Sequence, residues 1–526
     1  MAAPTTAPID LSAALVTAPT ALADWLVIAP MGLMIGLGAV LMMVRHRLRL
    51  HGRIAIPGLV ALVVLNGLLL WRVAHEGPFT MTAGRWLPPF GISFTADLFG
   101  ALMAFGSSLV ALAAGVHALR DIDATGRRYG FFPFLMLLMA GVNGSFLTGD
   151  IFNLYVWFEV LLISSFGLLI LGSEREQIDG ALKYAILNLL ATTLFLIAVG
   201  YLYAIFGTLN MADIARQADA HIGTAPLMTL SALFILAFAM KAAAFPVNFW
   251  LPASYHTPRV VVSALFGGLL TKVGVYALMR VMVMLFPLQR EELSFLLAVI
   301  AALTMVLGAL GALAQSDLRR MAGFAVIAGI GNVIAGVAIG GPTGVSGAIL
   351  YALHSMIAMT ALYLLVGEAA RVAGSWSLQT LGGIYREAPW IAASAFVVFF
   401  AVAGLPPFSG LWPKVVLLKA ALDIGAWWLS AAILVSAFIL TLAFGRVFLL
   451  AFWRPRPVVS ASASASACAV APPAWERSIP LAGLVALLVV FGLLPEAPLR
   501  LSQAAAAGLA DPAAYIQSVF PTGGAE

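Results

Sequence analysis

The chain has 526 residues, of which 62% are hydrophobic and only 10% are charged. Soluble domains carry about 25% charged residues, so this chain lacks the polar surface that water requires. It is therefore expected to be a polytopic membrane protein in a lipid bilayer. The single cysteine, Cys468, excludes a disulfide framework, a cysteine zinc site and an iron–sulfur cluster, so no cofactor is expected. The net charge of +5 is too thinly spread for nucleic-acid binding.

Fourteen apolar segments are long enough to cross a membrane as helices, which takes about 20 residues each. They fall near 23–44, 54–75, 91–116, 131–149, 151–171, 181–206, 226–250, 257–285, 293–315, 320–341, 343–368, 388–418, 427–451 and 479–495. The predicted fold is all-α, with about fourteen transmembrane helices. No signal peptide is expected, because no basic stretch precedes the first apolar run.

Arginine positions predict the orientation of these helices, because basic residues favour cytoplasmic loops. If the N-terminus lies outside, sixteen arginines fall in inner loops and five in outer loops. This pattern favours fourteen helices with both termini outside. Residues 452–478 are expected to form a cytoplasmic linker around the low-complexity stretch 458–473. Residues 479–526 are expected to form the last helix and an outer tail.

All five lysines lie within or at the end of apolar segments: Lys183, Lys241, Lys272, Lys414 and Lys419. Lys183 and Lys419 are near predicted helix ends, where a long side chain can reach the interface. The other three are predicted at mid-membrane, where each costs roughly 2.5–3.5 kcal/mol on insertion scales. A buried lysine can release its proton near neutral pH, whereas an arginine stays charged. These three are therefore candidates for proton transfer, and static charge pairing is the alternative.

Two other titratable residues fall inside apolar segments. Glu159 is predicted to be the one strongly intramembrane carboxylate. Close to a lysine it would hold the lysine charged, and further away it would allow proton release; alternatively, it only neutralises the lysine. His354 would either carry protons or satisfy a buried hydrogen bond. Carboxylates near predicted helix ends are expected to be solvated caps, and these are Asp97, Asp150 and Glu368.

Two predicted helices contain internal breaks next to lysines. Proline removes an intrahelical hydrogen bond, and freed backbone groups at membrane depth must be buried in protein or face water. Broken helices five spans apart predict two inverted five-helix repeats, residues 131–285 and 293–451, after three helices within residues 1–130. The breaking residues are Pro246 and Pro252 after Lys241, and Gly404, Pro406, Pro407, Gly410 and Pro413 before Lys414.

Three motifs connect the chain to a known family: GDIFNLYVWFEVLLISSFGLL at 149–169, LKYAILNLL at 182–190 and KAAAFPVNFWLPASYHTP at 241–258. On these residues the chain resembles the proton-translocating membrane subunits shared by respiratory complex I and the Mrp-type (Mnh, Pha) multisubunit cation/proton antiporters. The resemblance covers roughly residues 90–450. The form DIFNLYVWFEV favours the antiporter branch over complex I, and within that branch the chain looks most like the D subunit.

The resemblance implies a role for several of the residues already singled out. Glu159 matches the family's helix-five glutamate, and Lys241 matches its helix-seven lysine. Lys272 matches the helix-eight lysine, and Lys414 the lysine of the broken twelfth helix. In this family, protons pass along a hydrated mid-membrane axis from the glutamate–lysine pair toward the last lysine. The same route is therefore expected here.

Two positions depart from the family pattern. Many members have a lysine in the eleventh helix near position 359, where this chain has Met359. Many also have a histidine near position 329, where this chain has Gly329. The central part of the route is therefore expected to depend on His354 and water.

The resemblance implies a subunit of a secondary antiporter in the bacterial plasma membrane, not an enzyme. It would couple inward proton movement to efflux of Na+ or K+, together with other membrane subunits. Two alternatives remain open from the sequence. One is a proton-pumping subunit of a quinone oxidoreductase or a membrane-bound hydrogenase. The other is a structural scaffold whose buried charges have no function.

Overall fold

A computed structural model describes residues 15, 20–84, 86–457 and 475–520 of the chain. The stretch 458–473 of the predicted linker, Arg85 and Cys468 lie outside these residues.

The described residues are mostly helical. The first helices are α1 (Ala29–Met43), α2 (Leu48–Glu76), α3 (Leu98–Asp121), α4 (Ala124–Arg128), α5 (Phe131–Leu147), α6 (Ile151–Leu169), α7 (Arg175–Phe206) and α8 (Met211–Gln217). The middle helices are α9 (Leu227–Ala242), α10 (Trp250–Ser254), α11 (Val260–Leu265), α12 (Thr271–Met279), α13 (Pro287–Glu292), α14 (Ser294–Ala314), α15 (Leu318–Ile339) and α16 (Gly341–Ala373). The last are α17 (Ile384–Glu387), α18 (Pro389–Ala403), α19 (Leu411–Asp423), α20 (Trp427–Val447), α21 (Trp475–Leu493), α22 (Glu496–Ala510) and α23 (Ala513–Val519).

Nine helical stretches of the described chain are long and apolar enough to cross a membrane. They are α2, α3, α6, α7, residues 260–285 (α11 and α12 with the π-helical turns Phe266–Leu270 and Arg280–Leu285), α14, α15, α16 and residues 427–453. A tenth results if α21 and α22, bent by 79° at their junction, are counted as one span. Four shorter apolar helices, α1, α5, α9 and α18, accompany them. The fold is that of a multi-pass helical membrane protein.

The predicted span 91–116 is wrong at its N-terminal end. Residues Ile92–Ala96 form strand β2, which pairs antiparallel with β1 (Phe79–Ala83), with Phe79 opposite Ala96 and Ala83 opposite Ile92. The β-branched and aromatic residues of this stretch suit a strand as well as an apolar helix, so hydrophobicity alone could not separate them. Helix α3 begins only after Asp97, whose side chain accepts a hydrogen bond from Gly100 N.

One end of the bundle is defined by this hairpin, and we call it the hairpin end. Gly149, in the turn between α5 and α6, donates its N–H to Ser93 O at 2.8 Å and accepts from Met211 N at 2.8 Å. The C-terminal helix α23 also lies here, where Ser518 Oγ is 2.9 Å from Thr80 Oγ1. The predicted outer tail is thus a packed part of the fold. Helix α22 buries Ala505, Ala506 and Leu509 against α3 and α16.

Both predicted helix breaks are present. Helix α9 ends at Ala242, the left-handed residue Ala243 follows, and Pro246 lies in the gap before α10. Helix α18 ends at Ala403, and Pro406 and Pro407 lie in the gap before α19. Around them, the stretch 260–285, α15 and α16 are almost entirely buried and form the centre of the bundle. Each break is buried on the side that faces these helices, at Ala243 and Ser409, while Pro246, Pro406 and Pro407 are exposed.

Candidate functional site

Lys241 lies in the last turn of α9, immediately before the first break. Its side chain is buried, and its Nζ lies 5.2 Å from the centroid of the Phe158 ring. At the end of α9, Met240 O accepts a hydrogen bond from Trp250 Nε1 at 3.1 Å and another from Ala243 N at 3.3 Å. Helix α12 approaches this point at Gly274, where an added Cβ would lie only 2.9 Å from Ala242 N. Glycine therefore allows α12 to touch the backbone beside Lys241.

Glu159 follows Phe158 on α6 and interacts electrostatically with Lys241. In the described part of the chain the two make no ion pair within 4.0 Å. Glu159 is half-buried in the protein. It shares a helix face with the exposed residues Phe152, Val156 and Ile163. The sequence did not reveal this because membrane proteins are apolar on both their buried and their lipid-facing sides.

Lys272 lies on α12, directly after the π-helical turn Phe266–Leu270. It is fully buried, and its Nζ donates a 2.6 Å hydrogen bond to the carbonyl oxygen of Gly267. The lysine thus finds a neutral backbone partner one turn before it on its own helix. A π-helical turn of this kind often occurs at functional sites.

Lys414 lies in the first turn of α19, after the second break. Its buried Nζ donates a 2.5 Å hydrogen bond to the carbonyl oxygen of Ala403, the last residue of α18. The C-terminal end of a helix carries partial negative charge and unpaired carbonyl groups, so it suits an ammonium group. Gly404 follows with φ +88°, and an added Cβ there would lie 2.6 Å from Lys414 Cδ. Both the backbone conformation and the close approach require glycine.

His354 connects the centre of the bundle to the second break. It is fully buried on α16, and its Nδ1 is 2.9 Å from the hydroxyl oxygen of Ser409, inside the break. Its Nε2 makes no hydrogen bond within the described protein and faces Gly410, where an added Cβ would lie 3.0 Å from it. Both Lys272 and Lys414 are close enough for their charges to act on the ring.

The sequence-predicted residues are therefore grouped around the two breaks. Lys241 and Lys272 lie on helices that touch at Gly274, and His354 and Lys414 flank the break between α18 and α19. Met359, at the position of the family's lysine, is a fully buried apolar residue. Sequence analysis missed Ser409. A polar residue two positions after Pro407, within a predicted helix break, could have indicated a hydrogen-bond partner for a buried side chain.

The remaining lysines belong to the surface. Lys183 pairs with Asp179 at 2.5 Å and Lys419 with Asp423 at 3.4 Å, and all four side chains are exposed. Each pair is spaced four residues apart on one helix, so its contribution to stability is small. Both lysines therefore provide controls for substitutions at the buried ones.

The three carboxylates expected to be solvated caps are all buried. Asp150 does cap α6, since it accepts a hydrogen bond from Asn153 N at 2.7 Å. Glu368 pairs with Arg371 at 2.8 Å. Asp97 caps α3 but also accepts two hydrogen bonds, of 2.8 and 2.7 Å, from the guanidinium of Arg280. Sequence analysis did not single out Arg280, although an arginine inside the apolar run 273–286 indicates a buried charge that needs a carboxylate partner.

A cavity of about 690 Å³ adjoins the segment after the first break. It lies at the end of the bundle opposite the hairpin, next to α10 and the starts of α7 and α15. Polar residues from all three regions line it, and they include Glu176, Asp179, His256, Asp317 and Arg320. Burial, followed by the neighbouring Arg320, lowers the pKa of His256 below its ordinary value. The cavity places titratable groups next to the segment that follows the break after Lys241.

Residues 148–440 match the family described as NADH:quinone oxidoreductase/Mrp antiporter, TM. The chain is 37% identical to the D subunit of the Na+/H+ antiporter of Alkalihalophilus pseudofirmus over 462 residues, which are 88% of this chain and 92% of that protein. It is also 37% identical to the D subunit of the Na+/H+ antiporter of Bacillus subtilis, over 74% of this chain and 79% of that protein.

Solved structures give the same result at the level of the fold. A chain of the Mrp complex from Dietzia sp. superposes with a TM-score of 0.88 at 30% identity, covering 95% of this chain and 100% of that one. A chain of respiratory complex I from Thermus thermophilus superposes with a TM-score of 0.80 at 24% identity, covering 92% of this chain and 99% of that one. The second similarity shows a shared fold only.

Proposed function

Because this chain belongs to the NADH:quinone oxidoreductase/Mrp antiporter family of membrane proteins, we propose that it is the proton-translocating subunit of a multisubunit monovalent cation/proton antiporter. The observation that carries the proposal is the environment of three buried ammonium groups. Lys272 and Lys414 donate to backbone carbonyls, and Lys241 lies over an aromatic ring. Because no carboxylate holds any of them at ion-pair distance in the described chain, each can release its proton.

The proposed route begins beside the first break. Water in the cavity next to α10 exchanges protons with Lys241, and Glu159 sets how tightly Lys241 holds its proton. The proton then passes to Lys272 across the contact between α9 and α12. His354 and water carry it on to Lys414, because the ring lies within electrostatic range of both lysines and its Nε2 makes no hydrogen bond in the described part of the chain. Backbone carbonyls freed at the second break receive the last ammonium group.

The antiporter function implies opposite directions of movement for the proton and the monovalent cation. Protons move into the cell down the proton motive force, and this movement drives Na+ or K+ outward. The chain is located in the bacterial plasma membrane, with both termini outside as the arginine distribution indicates. The end of the bundle with the hairpin then faces outward, and the 690 Å³ cavity faces the cytoplasm.

The proposed topology has fourteen spans and two inverted repeats, residues 131–285 and 293–451. Corresponding helix lengths support it. The third helix of each unit is the longest, with 32 residues in α7 and 33 in α16. The fourth is broken after 16 residues in α9 and after 15 in α18. The fifth contains π-helical turns in both units. An odd number of spans per unit inverts the second unit relative to the first.

Other membrane subunits of the antiporter are the proposed partners, and Glu159 supports one surface for them. A carboxylate on an apolar, exposed helix face would be costly against lipid. Phe152, Val156 and Ile163 surround it on that face. A neighbouring subunit that supplies a polar or cationic group to Glu159 would remove this cost.

The function can be tested in vesicles that contain the whole complex, by measuring proton movement driven by a Na+ or K+ gradient. Lys241→Met should slow cation-dependent proton movement by about 100-fold, which is typical for loss of a group that transfers protons. Lys183→Met removes an exposed lysine and should leave the rate unchanged. If both variants assemble and exchange like the wild type, the chain is a scaffold and does not conduct protons.

A further inference from the structure

The ion pair between Asp97 and Arg280 lies between Lys272 and the hairpin end. Lys272, Tyr276 and Arg280 are four residues apart and therefore share one face of the helix. Tyr276 donates its hydroxyl proton to Phe146 O at 2.8 Å and accepts from Arg280 Nη2 at 2.8 Å. These three polar side chains form a column along the helix toward this end of the protein. Tyr276 and Arg280 are hydrogen-bonded to each other, whereas Lys272 Nζ donates to Gly267 O.

The guanidinium of Arg280 is enclosed almost completely. Its residue is 1% exposed, and its Cζ lies 5.3 Å from the centroid of the Tyr276 ring, 5.5 Å from that of Phe99 and 5.4 Å from that of Tyr515. Asp97 holds two of its nitrogens. Tyr515 belongs to the C-terminal helix α23, so the end of the chain covers the ion pair from the hairpin side.

Stability alone does not explain this ion pair. A buried ion pair is often no more stabilising than apolar residues of similar size, because both charges lose their hydration. Charged residues within a membrane are by default functional candidates. Arginine is suited to one function in particular: its guanidinium keeps its proton, so a path that runs through it cannot pass a proton on.

We infer that the Asp97–Arg280 pair is a seal that prevents Lys272 from exchanging protons with the hairpin end. This inference rests on the proposed function of Lys272. The column from Lys272 would otherwise give protons a short route across the membrane that bypasses Lys414 and the other subunits. With an arginine that keeps its proton across this column, a proton on Lys272 is directed to His354 and Lys414 and not to the hairpin end. The seal therefore couples proton movement to exchange.

The test measures proton leak in vesicles of the whole complex under a pH gradient without Na+ or K+. The double variant Asp97→Asn with Arg280→Gln removes both charges, while asparagine can still cap α3. We expect its leak to rise several-fold at equal complex content. The control is Asp213→Asn with Arg216→Gln, a pair at 2.8 Å at the same end whose arginine side chain is 57% exposed. It should not leak.

Two further variants test the seal even if the double variant fails to assemble. Arg280→Lys retains the positive charge next to Asp97 but can release its proton, so it should also leak. Adding Lys272→Met to a leaking variant should return the leak to the wild-type rate. An assembled Arg280→Lys complex with wild-type leak would overturn the seal, as would a leak that persists without Lys272. Failure of the proposed function would appear differently, as normal cation-driven exchange in Lys241→Met.

Discussion

Lys414 Nζ donates a 2.5 Å hydrogen bond to the carbonyl oxygen of Ala403, so an ammonium group joins the two halves of a broken helix. The carbonyl is free because α18 ends there, and the lysine reaches it because α19 begins only after the break. A neutral carbonyl stabilises the ammonium without fixing its charge as a carboxylate would. The break therefore supplies both a site for the proton and the freedom to release it.

Gly404→Ala should disturb this contact. The residue has φ +88°, and its new Cβ would lie 2.6 Å from Lys414 Cδ and 2.9 Å from Nζ. We expect cation-driven proton exchange to be strongly reduced, together with a loss of about 1–3 kcal/mol in stability from the strained backbone.

Gly425→Ala is the matched control for this glycine. It also has a positive φ, +72°, but its added Cβ would meet nothing within 4 Å. It should therefore show a similar backbone strain and near-normal exchange. Equal exchange rates in the two variants would mean that the position of Lys414 at Gly404 is unimportant.

Glu159→Gln should leave assembly largely intact and reduce exchange. The substitution removes the charge that acts on Lys241 and so changes how tightly the lysine holds its proton. Glu496→Gln, at an exposed glutamate paired with Arg500, is the control. Wild-type exchange in Glu159→Gln vesicles would contradict a regulating role, and loss of the complex from the membrane would show that Glu159 is structural.

His354→Gln separates proton transfer from hydrogen bonding. Glutamine can still bond with Ser409, but it cannot take up a proton. We expect exchange to fall by about 100-fold if the ring carries protons. His75→Gln changes an exposed histidine and should have no effect. Exchange close to wild type in His354→Gln would leave the ring only the function of satisfying a buried hydrogen bond.

The sequence predicted the membrane class, both helix breaks and the buried lysines, because each depends on local chemistry. Prolines in an apolar run disrupt helical hydrogen bonds wherever they occur. A lysine far from any helix end cannot reach water, so Lys272 had to be buried or paired. The same reasoning applied to Lys183 and Lys419, which lie near helix ends and are exposed in the structure.

Features that depend on distant contacts were not predictable in this way. Asp97 and Arg280 are separated by 183 positions, and the sequence alone does not say which carboxylate meets which cation. The start of the predicted third helix is a strand of the hairpin instead. The sequence did not show this, because its apolar residues suit both a helix and a strand. The half-buried position of Glu159 was not predictable either, because an apolar neighbourhood in the sequence looks the same whether lipid, a partner or the protein core provides it.

The most direct test of the account is the rate of cation-driven proton exchange in Lys414→Arg vesicles, at equal content of the whole complex. Arginine keeps the charge and can still donate to Ala403 O, but its guanidinium stays protonated, so it cannot pass a proton on. Lys419→Arg, on the same helix but exposed, is the control and should exchange normally. The account predicts that Lys414→Arg is as defective as Lys414→Ala. Exchange near the wild-type rate in Lys414→Arg would show that Lys414 supplies only a static charge, and would contradict a proton route through the broken helix.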